Sequence, residues 1–269
     1  MLYLLLWAGT LSAQEYKTDK AICYRPDSKD EYVQKKCLLD VYYPVGKENF
    51  ATVVWYHGGG LTAGDRELPK ELQEQGLCIV GVSYRLCTTD KDPKNINSNI
   101  TTDDCVDDAA AAAAWVMRNI GRYGGNPDKV YLAGHSAGGY LVSMIGLDKR
   151  RLAKYDIDAE KFAALIPFSG QVITHFQNRR DRGISDFQPI IDEAAPLFYV
   201  RKDCPPVLLI CGDRERELLG RYEENAYLWR MLKLVGHPAV YLYELDGFDH
   251  GTMAHPAHCI LLEYIRSRE

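Results

Sequence analysis

The 269 residues are enough for one large α/β domain with a sizeable core. Hydrophobic residues make up 46 % and charged residues 26 %, with 22 Gly and 12 Pro, which excludes a disordered, collagenous or coiled-coil chain. The formal net charge is -5, and no block of Lys and Arg would track a phosphate backbone, so nucleic acid is excluded as an expected partner.

Residues 1–13, MLYLLLWAGTLSA, form a short apolar run ending in Leu11-Ser12-Ala13, small residues that a signal peptidase accepts. The run is read as an export signal, leaving 14–269 as a single domain of a periplasmic or secreted protein. The competing reading is a buried N-terminal strand or helix in a cytoplasmic protein, favoured by the lack of Lys or Arg ahead of the run. The run is short of the ~20 apolar residues a spanning helix needs, so no stable membrane insertion is expected.

A hairpin is expected through Ala21 to Tyr43, turning at Pro26 to Asp30. Strand-length apolar runs then follow at 51–56, 77–84, 129–133, 163–168, 207–210 and 240–245. Helical stretches separate them, which predicts a mostly parallel sheet covered on both faces. The clearest helix is 103–122, where Asp103, Asp104, Asp107 and Asp108 suit a helix start and a run of Ala follows. Others are expected at 221–235 and 255–267. The least regular stretch is 171–203, a candidate lid, and its Arg179-Arg180-Asp181-Arg182 is read as a solvated turn.

Eight cysteines occur without a Cys-x-x-Cys pair or a His cluster at zinc spacing, so neither a metal nor another cofactor is expected. In an exported chain two bridges are plausible: Cys23 with Cys37 across the hairpin turn, and Cys87 with Cys105 around a polar loop. The alternative is that these are free core thiols.

Gly134-His135-Ser136-Ala137-Gly138 follows a predicted strand and precedes a predicted helix. In that context a Gly-x-Ser-x-Gly turn presents its serine as a nucleophile. His57-Gly58-Gly59-Gly60 directly follows the strand 51–56, where consecutive glycines let the backbone turn its amides inward. The amides of Gly59, Gly60 and Ala137 are thus candidate donors to a developing oxyanion.

Ser136 needs a base, and the chain order Ser, acid, His excludes His57, His135 and His175. His237 lies ahead of the last strand and His255 and His258 on the last helix, which leaves His250 in the loop after that strand. The acid falls within Cys211-Gly212-Asp213-Arg214-Glu215-Arg216-Glu217, where three carboxylates compete.

Together with Ser83-Tyr84-Arg85-Leu86, Asp107-Asp108-Ala109, Tyr123-Gly124-Gly125-Asn126-Pro127 and His250-Gly251, these motifs make the chain resemble α/β-hydrolase-fold esterases. It is similar to the hormone-sensitive-lipase-like and bacterial carbohydrate esterase groups. The resemblance puts the nucleophile on Ser136 and the base on His250. It puts the acid three residues after the Gly that closes its strand, on Glu215, with Asp213 as rival. It implies no large cap and a shallow, open site. The implied activity is a serine carboxylic ester hydrolase acting through an acyl-enzyme on acetylated or feruloylated carbohydrate. Two other readings use the same residues: an amidase or peptidase, and a binding protein that keeps the fold without activity.

Overall fold

The computed structural model describes residues 14–87 and 99–268. The apolar run 1–13, read above as an export signal, lies outside them, as does most of the polar loop between Cys87 and Cys105.

The chain begins with β1 (Tyr16–Cys23), α1 (Glu31–Lys36) and β2 (Leu38–Pro44). The two strands pair antiparallel as the expected hairpin. Its connection is a short helix rather than a simple turn. Asp30 caps that helix, its carboxylate accepting from the amides of Tyr32 and Val33, and Val33 is buried beneath it.

The main sheet follows: β3 (Phe50–Tyr56), β4 (Cys78–Val82), α2 (Thr102–Asn119), β5 (Gly125–His135), α3 (Ala137–Leu147) and the single turn α4 (Arg150–Ala153). It ends with β6 (Ala164–Phe168), α5 (Phe176–Asp181), β7 (Val207–Gly212), α6 (Arg221–Leu234), β8 (Val240–Leu245) and α7 (Ala254–Arg266). The strand order is β1-β2-β4-β3-β5-β6-β7-β8, and every pairing from β4 to β8 is parallel.

Alternate residues of the central strands feed two separate cores. Val54, Tyr56, Val130, Leu132 and Leu165 pack with α2, α3 and α6 on one face. Val53, Trp55, Tyr131, Ala133 and Ile166 pack with α7 on the other. A sheet buried on both faces explains why these strands read as continuous apolar runs.

Helix α2 begins in a capping box, with Thr101 and Asp104 exchanging side-chain-to-backbone bonds, and its Ala run packs flat on the sheet. Its Asp108 is fully buried and faces two guanidinium groups, Arg25 at 3.0 Å and Arg85 at 2.8 Å. The Arg85 amide also donates to Asp108 at 3.0 Å. The Ser83-Tyr84-Arg85-Leu86 and Asp107-Asp108-Ala109 motifs therefore meet in one buried ion cluster. Removing the carboxylate takes from both part-buried cations their buried partner and leaves Arg25 only Asp107 and Arg85 only Asp104, so Asp108→Ala is expected to cost about 3 kcal/mol, read as a lowered urea midpoint.

Two expectations about side chains change. Arg179 is not in a solvated turn: it lies in α5, is 2 % exposed, and donates to the carbonyls of Thr174, Asp186 and Gln188. Its long side chain ties the irregular stretch together, while Arg180 and Arg182 pair at the surface with Asp186 and Asp192. None of the eight cysteines is bridged in the structure. Cys23 donates to Gln34, and Cys37 turns into the core against Tyr24 and Asp108, so the hairpin bridge does not form.

Candidate active site

The loop after β3 and the turn from β5 into α3 form a junction at the carboxyl ends of these two adjacent parallel strands, the point at which the strand order of the sheet reverses. Ser136 sits at this junction with φ 55° and ψ -113°, a strained backbone for a residue with a Cβ. The turn is possible because its neighbours have no side chains. A Cβ on Gly138 would stand 1.9 Å from the Tyr56 carbonyl oxygen, and one on Gly134 would stand 2.7 Å from the same atom. The Ser136 amide donates to Phe168 O at 2.8 Å, fixing the turn against β6.

Ser136 Oγ lies 2.8 Å from His250 Nε2. His250 Nδ1 lies 2.8 Å from Glu217 Oε2. The sequence-derived nucleophile and base are thus adjacent, but the carboxylate behind the imidazole is Glu217, not Glu215 or Asp213.

The reason is local. After Gly212 the chain makes a helical turn, with the amides of Arg216 and Glu217 both donating to Asp213 O at 2.9 Å. Asp213 spends its carboxylate on that turn and on the next loop, accepting from the amides of Glu215 at 2.9 Å and Gly247 at 2.8 Å. Glu215 projects from the outside of the turn into solvent. Glu217, two residues further, comes back under β7, and its side chain is 1 % exposed. The turn moves the acid two places beyond the position that the family spacing implies.

The second oxygen of Glu217 accepts from the Gly212 amide at 3.0 Å and from the Ser169 hydroxyl. Burial opposes ionisation of this carboxyl. The hydrogen bonds from His250, Ser169 and Gly212 outweigh it and hold the pKa down at about 2.

His135 is a contributor that chain-order reasoning set aside. Its Nε2 lies 2.7 Å from the His250 carbonyl oxygen, and the two rings sit 4.8 Å apart. Burial, then the neighbouring His250, pulls the His135 pKa down to about 4, so the neutral ring donates through Nε2 and anchors the base's backbone. His135→Phe leaves that carbonyl without its donor. A roughly tenfold loss of kcat at nearly constant KM is expected, because the base is misplaced while the binding surface is kept.

The loop 57–60 packs over the serine turn: a Cβ on Gly58 would touch His135 O at 3.3 Å and Ser136 Cβ at 3.5 Å. Gly59 and Gly60 have φ 107° and 65°, a region that glycine enters at little cost. Among the described residues, the turn and loop hydrogen bonds use the carbonyl of Gly59 but not the amides of Gly59, Gly60 or Ala137. His57 supports this loop from below, stacked on Tyr84 at 4.3 Å with its carbonyl accepting from the Tyr84 hydroxyl at 2.9 Å. The remaining histidines lie elsewhere: His175 caps α5, His237 binds the Cys204 carbonyl, His255 pairs with Glu71, and His258 packs between Trp55 and Phe168.

A cavity of about 600 Å³ flanks the site, between the 171–191 stretch and the segment after Glu217. Its walls include Phe176, Phe187, Ile191, Leu218, Leu219 and Tyr227. Phe176 lies against the oxyanion loop, since a Cβ on Gly60 would meet its ring at 3.3 Å. Leu218 adjoins Glu217 in the chain. The open, shallow site expected from the sequence is therefore bordered by an apolar recess. Sequence reading missed it because its two walls lie some thirty to fifty residues apart. Among the described residues, no group of His, Cys, Asp and Glu is placed to hold a metal ion, and no helix is long and apolar enough to cross a membrane.

Residues 5–189 match the family model described as the carboxylesterase family, a span that holds Gly59, Gly60 and Ser136 and stops before Glu217 and His250. The chain is 26 % identical over 228 residues to a probable carboxylic ester hydrolase, LipM, of Mycobacterium tuberculosis, covering 75 % of this chain and 50 % of that protein. It is 32 % identical over 154 residues to carboxylesterase 1C of Mus musculus, covering 52 % and 25 %. The chain thus spans half or less of these curated relatives. Among solved structures, it is similar in fold to a truncated carbohydrate esterase from gut microbiota, with a TM-score of 0.71 at 15 % identity over 96 % of this chain and 98 % of that one. An inhibited esterase B from Lactobacillus rhamnosis also gives 0.71, at 19 % identity over 94 % and 87 %.

Proposed function

Because this chain belongs to the carboxylesterase family, we propose that it is a serine hydrolase of carboxylic esters, with Ser136, His250 and Glu217 as its catalytic residues. The observation that carries this reading is the unbroken chain of contacts from Ser136 Oγ through the His250 ring to Glu217, 2.8 Å at each step.

Each group has a chemical task. His250 Nε2 takes the Ser136 proton as Oγ attacks the ester carbonyl, and Glu217 steadies the imidazolium that forms. The carbonyl oxygen becomes an oxyanion in reach of the Gly59, Gly60 and Ala137 amides; one such donor is typically worth about 3 kcal/mol of barrier. His250 then returns the proton to the departing alcohol. Water, deprotonated by the same ring, releases the acyl group from Ser136.

For the substrate, the reading is an acetyl or feruloyl ester on a carbohydrate. The carbohydrate esterase among the structural neighbours supports the alcohol side. The aromatic and aliphatic walls of the flanking cavity suit a planar aromatic acyl group. The test is a panel of acetylated oligosaccharides, feruloyl sugars, simple aryl acetates, long-chain esters and matching amides, run beside fluorophosphonate labelling. Labelling of the native protein but not of Ser136→Ala, with turnover of the sugar esters, is the expected result. Preference for long-chain esters would overturn the substrate reading. Faster turnover of the amides would overturn ester hydrolysis, and absence of labelling would overturn the catalytic reading altogether.

A further inference from the structure

Behind the oxyanion loop, two buried thiols face each other. Cys87 Sγ and Cys105 Sγ are 3.6 Å apart, and neither residue is more than 1 % exposed. They come from different elements: Cys87 follows β4 by five residues, and Cys105 lies in the first turns of α2. Each is fixed by its surroundings. The Cys87 amide donates to Leu61 O at 2.7 Å, directly beyond the oxyanion glycines, and the Cys105 thiol donates to Arg85 O at 3.1 Å. The buried Arg85–Asp108 pair holds the same two elements together within a few residues of both sulfurs.

We propose that Cys87 and Cys105 are an oxidation site that closes into one intramolecular disulfide when the protein folds in an oxidising compartment. Joining the sulfurs requires an approach from 3.6 Å to about 2.05 Å, a movement within the reach of side-chain rotation. The chemistry is ordinary exchange. A thiolate of one cysteine attacks a small disulfide such as oxidised glutathione, forming a mixed disulfide and expelling one glutathione thiolate. The second cysteine's thiolate attacks the protein sulfur of that mixed disulfide, forming the Cys87–Cys105 bond and expelling the second glutathione thiolate. The pair gives up two electrons and two protons, and the glutathione disulfide becomes two thiols.

Burial sets when this happens. Attack needs an exposed thiolate, and the hydrogen bond with Cys87, then burial, raises the Cys105 pKa. The bond therefore forms during folding, before α2 covers the pair, and slowly once the protein is folded. Its consequence is mechanical: it locks the segment after β4, whose Cys87 amide holds Leu61 O, to helix α2. It also shortens the free chain of the unfolded state across residues 88–104.

The full chain should be refolded from denaturant with reduced and oxidised glutathione, then mapped by non-reducing peptide mass spectrometry. The expected product is two hydrogens lighter, with the Cys87 and Cys105 peptides joined and six of the eight cysteines open to alkylation after denaturation. Its melting temperature should exceed that of the same protein with reductant by roughly 5–10 °C. In Cys87→Ser that difference should vanish. Eight free thiols after oxidative refolding, a bridge between Cys23 and Cys37 instead, or a melting temperature indifferent to reductant would each overturn the proposal. The mass and melting comparisons on the native chain need no variant to fold.

Discussion

Ser136→Ala is expected to lower kcat for any turned-over ester by about 10⁶-fold, while the protein folds and melts as before or slightly higher. The size of the loss follows from the geometry. Without Oγ, His250 Nε2 has no nucleophile 2.8 Å away to activate, and the oxyanion amides have no covalent intermediate to stabilise. Only the catalysis available from binding and polarisation of the carbonyl remains. The absence of a folding penalty also has a physical basis. Ser136 holds φ 55°, a conformation that costs alanine no less than serine, and its amide-to-Phe168 bond is independent of the side chain. The measurement is steady-state turnover of an aryl acetate alongside a thermal melt. Activity within tenfold of the native protein would remove Ser136 from the mechanism.

Glu217→Gln should cost about 10³–10⁴ in kcat, whereas Glu215→Gln and Asp213→Asn should each stay within about threefold. An amide at position 217 keeps the shape but offers no negative charge to the imidazolium, and its NH2 group competes for the tautomer that His250 needs. Glu215 has no such contact to lose. Asp213 would lose loop hydrogen bonds, which affects stability before chemistry. A large loss in Glu215→Gln with near-native activity in Glu217→Gln would contradict the structure directly.

The same carboxylate makes a stability prediction whose sign is fixed. Its pKa is about 2 in the folded protein against an ordinary 4.5, so the folded state binds fewer protons than the unfolded one between these values. The resulting stabilisation, on the order of 3 kcal/mol, is complete above about pH 5.5 and is lost as the pH falls toward 2. Native protein should therefore lose melting temperature across that window more steeply than Glu217→Gln. Parallel curves would show that Glu217 is not ionised in place.

The cavity beside the site changes how the 171–191 stretch is understood. The sequence predicts a solvated turn at 179–182 within an irregular candidate lid, 171–203, yet Arg179 is buried and Phe176 lies against the oxyanion loop. In the structure the stretch forms one wall of the cavity and is tied together by the three carbonyls that Arg179 binds. A change that frees Arg179 is therefore expected to disturb Phe176 as well, three residues away on the same helix.

Local chemistry made much of this protein readable from its sequence. Strands buried on both faces are unbroken apolar runs, glycines mark the places where backbone approaches backbone, and Gly134 to Gly138 and His57 to Gly60 carry their geometry within five residues. Chain order removed three of the seven histidines, and placement relative to the last strand and helix selected His250 from the other four. What the sequence left open was decided by tertiary contacts. Three carboxylates within five residues are equivalent by composition, and only the helical turn after β7 buries one of them against Ser169, Gly212 and the imidazole ring. The anchoring of His250 by His135, the Asp108 ion cluster and the meeting of Cys87 with Cys105 likewise join residues 18 to 115 positions apart. Periodicity and spacing report on neighbours along the chain, whereas these pairings depend on where the packed sheet carries distant segments.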